Sequence, residues 1–241
     1  MNENQNKKIS MFTQTSQKTK KYRHDYSMSM DLRDELLANV FLKFARETSH
    51  LYYEELRKGL KEFADEHDLP DEKAETVMNI VFWLRVLYEL KTDPYNNIVQ
   101  DFIKNNENYF KKWPILKSWI QEWYNVTPNF YYISQRFGGN GNVAVDIKSE
   151  TTLDIFYPFP NFSQPKQGAL VAGILLPFCD SLYFPITEFY EFDQSTLQEV
   201  VPHIRHYFRE LSHEPDQFET FLRMFSSLLK VEQITYNHLQ K

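Results

Sequence analysis

Apolar residues recur at helical spacing from Leu32 onward: Leu32, Leu36, Val40, Phe44, Leu51, Leu56, Leu60 and Phe63 form one stripe to about residue 66. Ser27 or Ser29 caps this helix, and Asp31 opens it. The gap in the stripe at Thr48–His50, with Gly59 beyond it, predicts a kink or a break into two helices. After Asp68-Leu-Pro-Asp71 a second helix carries Val77, Ile80, Val81, Trp83, Leu84, Leu87 and Tyr88. That band is too broad for a surface helix and belongs at the centre of the helical part. Thr92-Asp-Pro94 ends it and starts a helix through Ile98, Phe102 and Ile103. Lys112-Trp-Pro114 then opens a short one with Leu116, Trp119, Ile120 and Trp123.

From Asn129 the period changes to two. Phe130–Phe137 reads as a strand, and Gly138-Gly-Asn-Gly141 as a turn. Val143, Val145 and Ile147 alternate with polar or small residues, as do Leu153 and Ile155 beyond Ser149-Glu-Thr151, which predicts a hairpin. Pro158, Pro160 and Pro165 punctuate a loop. Gly168–Leu176 fits a buried strand, with Ser181–Pro185 as its hairpin partner. Five short strands in about 60 residues predict a small curled antiparallel sheet or barrel. Helices return from about Ser195 to Leu211 and from about Asp216 to Val231, with Pro215 at the start of the last. The expected fold is therefore α+β and predominantly helical. Its parts are a basic tail at 1–26, a helical domain at 27–126, a β-module at 127–192 and a C-terminal helix pair at 193–241.

Composition sharpens this picture in three places. Aromatics make 16% of the 241 residues, which points first to an aromatic-rich core and second to rings lining a groove. Residues 1–24 hold Lys7, Lys8, Lys18, Lys20, Lys21 and Arg23 against Glu3, about +5, and the net charge of −6 leaves about −11 on the remainder. The tail has little to bury and reads as disordered, while the acidic body argues against a whole-protein footprint for nucleic acid or anionic lipid. Cys179 is the only cysteine, so the fold needs no disulfide. No secretory signal is visible, and the longest nearly apolar run, Ala169 to Phe178, is about half a bilayer span. A cytoplasmic protein without a membrane partner is expected.

Several stretches resemble a group of uncharacterised bacterial proteins, mainly from Firmicutes. They are the helix segment Val81-Phe-Trp-Leu84, the turn Asp93-Pro94, the Trp-bearing Ser118-Trp-Ile-Gln-Glu-Trp123, the hairpin segment Val145-Asp-Ile147 and the Gly-led strand Gly168–Pro177. The resemblance spans Phe82 to about Phe192 and implies a helical region followed by a small β-module. Many members end in a Cys/His zinc motif like that of the bacterial secretion ATPase. This chain lacks it, so no role of that zinc transfers.

Candidate chemistry is sparse. Glu199, His203 and His206 share a helix face, a spacing that can bind a transition metal but more often forms a solvated face. A three-residue hairpin loop at Ser149–Thr151 would set Lys148 opposite Thr152 and Asp146 opposite Asp154, pairing two carboxylates with Lys148 diagonal to Asp154. Cys179 beside Asp180 has no activating neighbour. The glycine turn lacks the Lys-Ser/Thr pair and following helix of a phosphate loop. Tyr132 and Arg136 are the candidates for an outward ring beside a cation, as single-stranded nucleic acid is often held. No cofactor is indicated. The sequence thus suggests a non-enzymatic adaptor that binds another protein. The alternative is a nucleic-acid-binding protein using Lys18, Lys20, Lys21 and Arg23 with the β-module.

Overall fold

The computed structural model describes residues 29–89, 97–160, 162–179, 182–211 and 216–239. Lys18, Lys20, Lys21 and Arg23 lie outside them, as do Ser27, the Thr92-Asp-Pro94 turn, Asp180, Pro215 and the side chain of Cys179.

The Ser29 hydroxyl caps α1 (Met30–Asp34) by accepting from Leu32 N–H at 3.3 Å. The expected break into two helices at Thr48–His50 or Gly59 does not occur, since α2 (Leu42–Asp65) runs as one helix. Thr48 fills the apolar gap as a small buried residue. The irregularity sits earlier, in a π-helical segment Glu35–Phe41 where Leu42 N–H reaches back to Leu37 C=O. The wider turn brings Leu36, Leu37, Val40 and Phe41 all into the core.

Helix α3 (Asp71–Leu84) buries every side chain from Ile80 to Leu84, as its broad apolar band predicts. Trp83 stacks on Phe44 at 5.8 Å. Three short helices follow: α4 (Ile98–Asn105), α5 (Glu107–Lys112) and α6 (Pro114–Gln121). A 3-10 turn then carries Trp123, whose indole N–H donates to Pro177 C=O at 3.1 Å and ties the helices to the β-module.

That module comprises β1 (Pro128–Phe137), β2 (Gly141–Asp146), β3 (Thr152–Phe156), β4 (Leu170–Cys179), β5 (Leu182–Pro185) and the two-residue β6 (Tyr190–Glu191). The first five close into a barrel in the order β1-β2-β3-β5-β4 and back to β1. One expectation is corrected here, since the sheet is not wholly antiparallel. An odd number of strands cannot alternate direction around a closed ring, and the exception is the parallel pair β3–β5. Closure of this kind leaves the five strands without a free edge between them.

Inside the barrel lie Tyr131, Ile133, Ala144, Ile155, Val171 and Leu175. The outer faces of β4 and β5 join the helical core through Ala172, Ile174, Leu176, Phe178 and Phe184. Strand β4 is thus buried on both sides, which is why its sequence is continuously apolar. Helices α7 (Leu197–Glu210) and α8 (Gln217–Leu239) cover the start of β1, where Phe130 meets the rings of Phe208 and Phe221. A single apolar cluster therefore holds residues from the helical part, the barrel and the C-terminal pair. Among the described residues, no helix is long and apolar enough to cross a membrane.

Candidate functional site

Helices do not cover the whole barrel. The pairing places Tyr132, Val145 and Thr152 in one outward row, Gln135, Val143 and Asp154 in the next, and Phe137, Gly141 and Phe156 in the third. Tyr132 is 46% exposed and Phe137 40%, while Val143 and Val145 are half-buried. The Phe137 ring lies over Gly141, where an added Cβ would come within 2.4 Å of it. Asp154 is the only charged side chain among these nine residues. At the third row the helical layer resumes, with the Arg33 guanidinium 5.2 Å from the centroid of Phe156.

A β-bulge decides which residues of β1 share this face. The register slips between Ile133 and Gln135, and the hydroxyl of the bulged Ser134 donates to Val143 C=O at 3.0 Å. Unbroken alternation would put Tyr132 and Arg136 on one side. The bulge instead pairs Arg136 with the buried Asn142, on the inward side with Ile155, and the Arg136 guanidinium donates to Gln164 Oε1 at 2.8 Å. The ring and the cation are not presented together.

The hairpin register also differs from the expected one. Val145 faces Thr152 and Val143 faces Asp154, so Asp146 and Asp154 are not partners. The cause is local. Asp146 Oδ1 accepts from the N–H groups of Lys148 and Ser149 at 2.8 and 2.9 Å, and Asp146 N–H donates to Thr151 C=O. This turn absorbs four residues rather than three. Asp146 Oδ2 also accepts from Asn129 Nδ2 at 2.7 Å, which makes Asp146 a structural brace of the turn. Lys148 sits in that turn and lines a recess of about 110 Å³ beside Phe208 and Phe221, not the space beside Asp154.

His203 directs its Nδ1 to the Glu199 backbone carbonyl at 2.7 Å, and both His203 and His206 lie against the Tyr207 ring. Among the described residues, no group of three His, Cys, Asp or Glu could hold a metal ion.

The most polar buried feature was not anticipated. Glu232 on α8 is 5% exposed, and its carboxylate accepts from Lys73 Nζ at 2.9 Å, from Asp193 N–H at 2.5 Å and from the Tyr190 hydroxyl. Lys73 also lies 4.9 Å above the Tyr190 ring. Burial first, and then the Glu232 charge, push the Tyr190 phenol well above the ordinary tyrosine range, so it stays a donor. This node joins α3, β6 and α8 and stands between two clefts. One, of about 530 Å³, lies between α3 and the 162–165 loop, and the other, of about 290 Å³, between the start of α3 and the end of α8. The signal in the sequence was an acid at a core-facing position, four residues after Leu228 and three after Leu229. With three donors already on it, the Glu232 carboxylate acts as a staple.

No family model, curated protein or solved structure matches the chain.

Proposed function

We propose that this chain is a non-enzymatic binding or adaptor protein that docks a protein partner on the outward β1–β3 face of its barrel. The observation that carries this reading is the face itself. Two exposed rings, Tyr132 and Phe137, flank the half-buried Val143 and Val145, with a single charge at Asp154. Aromatic enrichment and charge depletion are what distinguish the centres of protein interfaces. A closed barrel offers no free edge there, so docking uses side chains rather than strand addition. The partner's matching surface is apolar and carries one cation for Asp154.

A second reading places single-stranded nucleic acid on the same face, favoured by the small closed barrel and the two rings. The acid at the centre of the face, the diversion of Arg136 to Gln164 and the acidic body weigh against it.

The test is an affinity capture of the tagged full chain from its native lysate, with and without nuclease, beside the Tyr132→Ala/Phe137→Ala variant. A stoichiometric protein that survives nuclease and is lost with the variant supports the reading. Nucleic acid as the captured species, or a partner indifferent to both substitutions, overturns it.

A further inference from the structure

The larger cleft has an apolar floor and an acidic rim. Phe162 and Tyr190 contribute to its floor, while Glu72 and Glu75 from α3 face Glu188 and Glu191 from the β6 side. Its one lysine, Lys73, is committed to Glu232. Glu188 accepts from Ser163 N–H at 2.9 Å, and none of the four glutamates forms an ion pair among the described residues. At about 530 Å³ the cleft falls within the roughly 300–1,000 Å³ range of pockets that take a drug-sized ligand, so it suits a few side chains of an extended segment.

We propose that the occupant of this groove is the chain's own segment 18–23, Lys18-Thr-Lys-Lys-Tyr-Arg23, bound in cis. Charge complementarity is the first argument: four cations in six residues meet four carboxylates, on a chain whose residues beyond position 24 carry about −11. The second is composition, since Tyr22 within the basic run matches the apolar floor. The third is reach. Phe41 stacks on Phe159 at 5.4 Å, and Phe159 meets Phe162 of the groove lining at 5.4 Å. Ser29 is about 18 Å of helix before Phe41, and the chain from Ser29 back to residues 23 and 18 spans about 20–36 Å when extended. The Lys18 end of the segment therefore falls within reach of the groove.

Zero-length carbodiimide coupling of the full chain, read by peptide mass spectrometry, tests this directly. Expected are amide links from Lys18, Lys20 or Lys21 to Glu72, Glu75, Glu188 or Glu191. They should form at about 0.02 M salt and be lost at about 0.5 M, where screening is short-ranged. The variant Glu72→Gln/Glu75→Gln changes only exposed side chains; it should lose the links to Glu188 and Glu191 as well, and trypsin should cut after Lys20 and Lys21 faster than in the wild type. Tail lysines coupling equally to the α2 acids Glu54, Glu62 and Asp65 would overturn the proposal. So would a pattern unchanged in the variant, or links found only between isotopically distinct copies.

Discussion

The ammonium of Lys73 on α3 donates a 2.9 Å hydrogen bond to the carboxylate of Glu232 on α8, whose side chain is 6% exposed. This pair, with the Tyr190 hydroxyl and the Asp193 N–H, holds the last helix onto the helical core and the barrel together. Removing one partner of a buried pair leaves a charge without compensation. Lys73→Met is expected to cost about 3 kcal/mol, the lower end of that range because Lys73 is itself a third exposed. Tyr190→Phe removes one donor and is expected to cost about 1–3 kcal/mol. Urea unfolding with an unchanged m-value and a lowered midpoint measures both.

The two aspartates of the hairpin should respond unequally to substitution. Asp146→Ala removes acceptors for two turn N–H groups and for Asn129 Nδ2, and is expected to cost about 1–3 kcal/mol. Asp154→Ala, on the exposed face, should stay within about 0.5 kcal/mol. Thermal melts of the two variants decide it, and equal losses would contradict the observed register.

Gly173 faces the barrel interior, where a Cβ would lie 2.5 Å from the ring of Phe189. That ring is 7% exposed and packs against Tyr131 and Tyr157, so it cannot swing away freely. Gly173→Ala is expected to destabilise by about 1–3 kcal/mol. In the Gly173→Ala/Phe189→Leu double variant the two effects should be less than additive, which a double-mutant cycle of denaturation midpoints reads.

Stability on the acid side should depend on Ser195. Its hydroxyl and N–H donate to Asp193 Oδ1 at 2.6 and 2.8 Å and hold that carboxyl below the usual aspartate range. A depressed value contributes stability above the unfolded value, about pH 4, and loses it as pH falls through the folded one. Wild type should therefore exceed Ser195→Ala at neutral pH, and the gap should narrow below about pH 4. A gap independent of pH in midpoint titrations would contradict the linkage.

Sequence periodicity was enough to place α2, α3, α7 and α8 and the five barrel strands, because a buried face writes its repeat into the chain locally. It also exposed Gly168–Leu176 as a two-sided strand, since a strand buried on both faces has no polar alternation. The switch from helical to strand period at Asn129, and back after Phe192, gave the α+β order for the same reason.

What the sequence could not specify rests on relations between distant residues. The parallel β3–β5 pair follows from closing five strands, a condition no single strand carries. The bulge at Ser134 and the Asp146 turn each shift a register, and one shift changes which side chains share a face, separating Tyr132 from Arg136 and Asp146 from Asp154. Glu232 and Lys73 lie 159 positions apart, and their charges balance only once α3 and α8 are packed. Local patterning determined the elements of this protein, and long-range closure and pairing decided which polar groups meet.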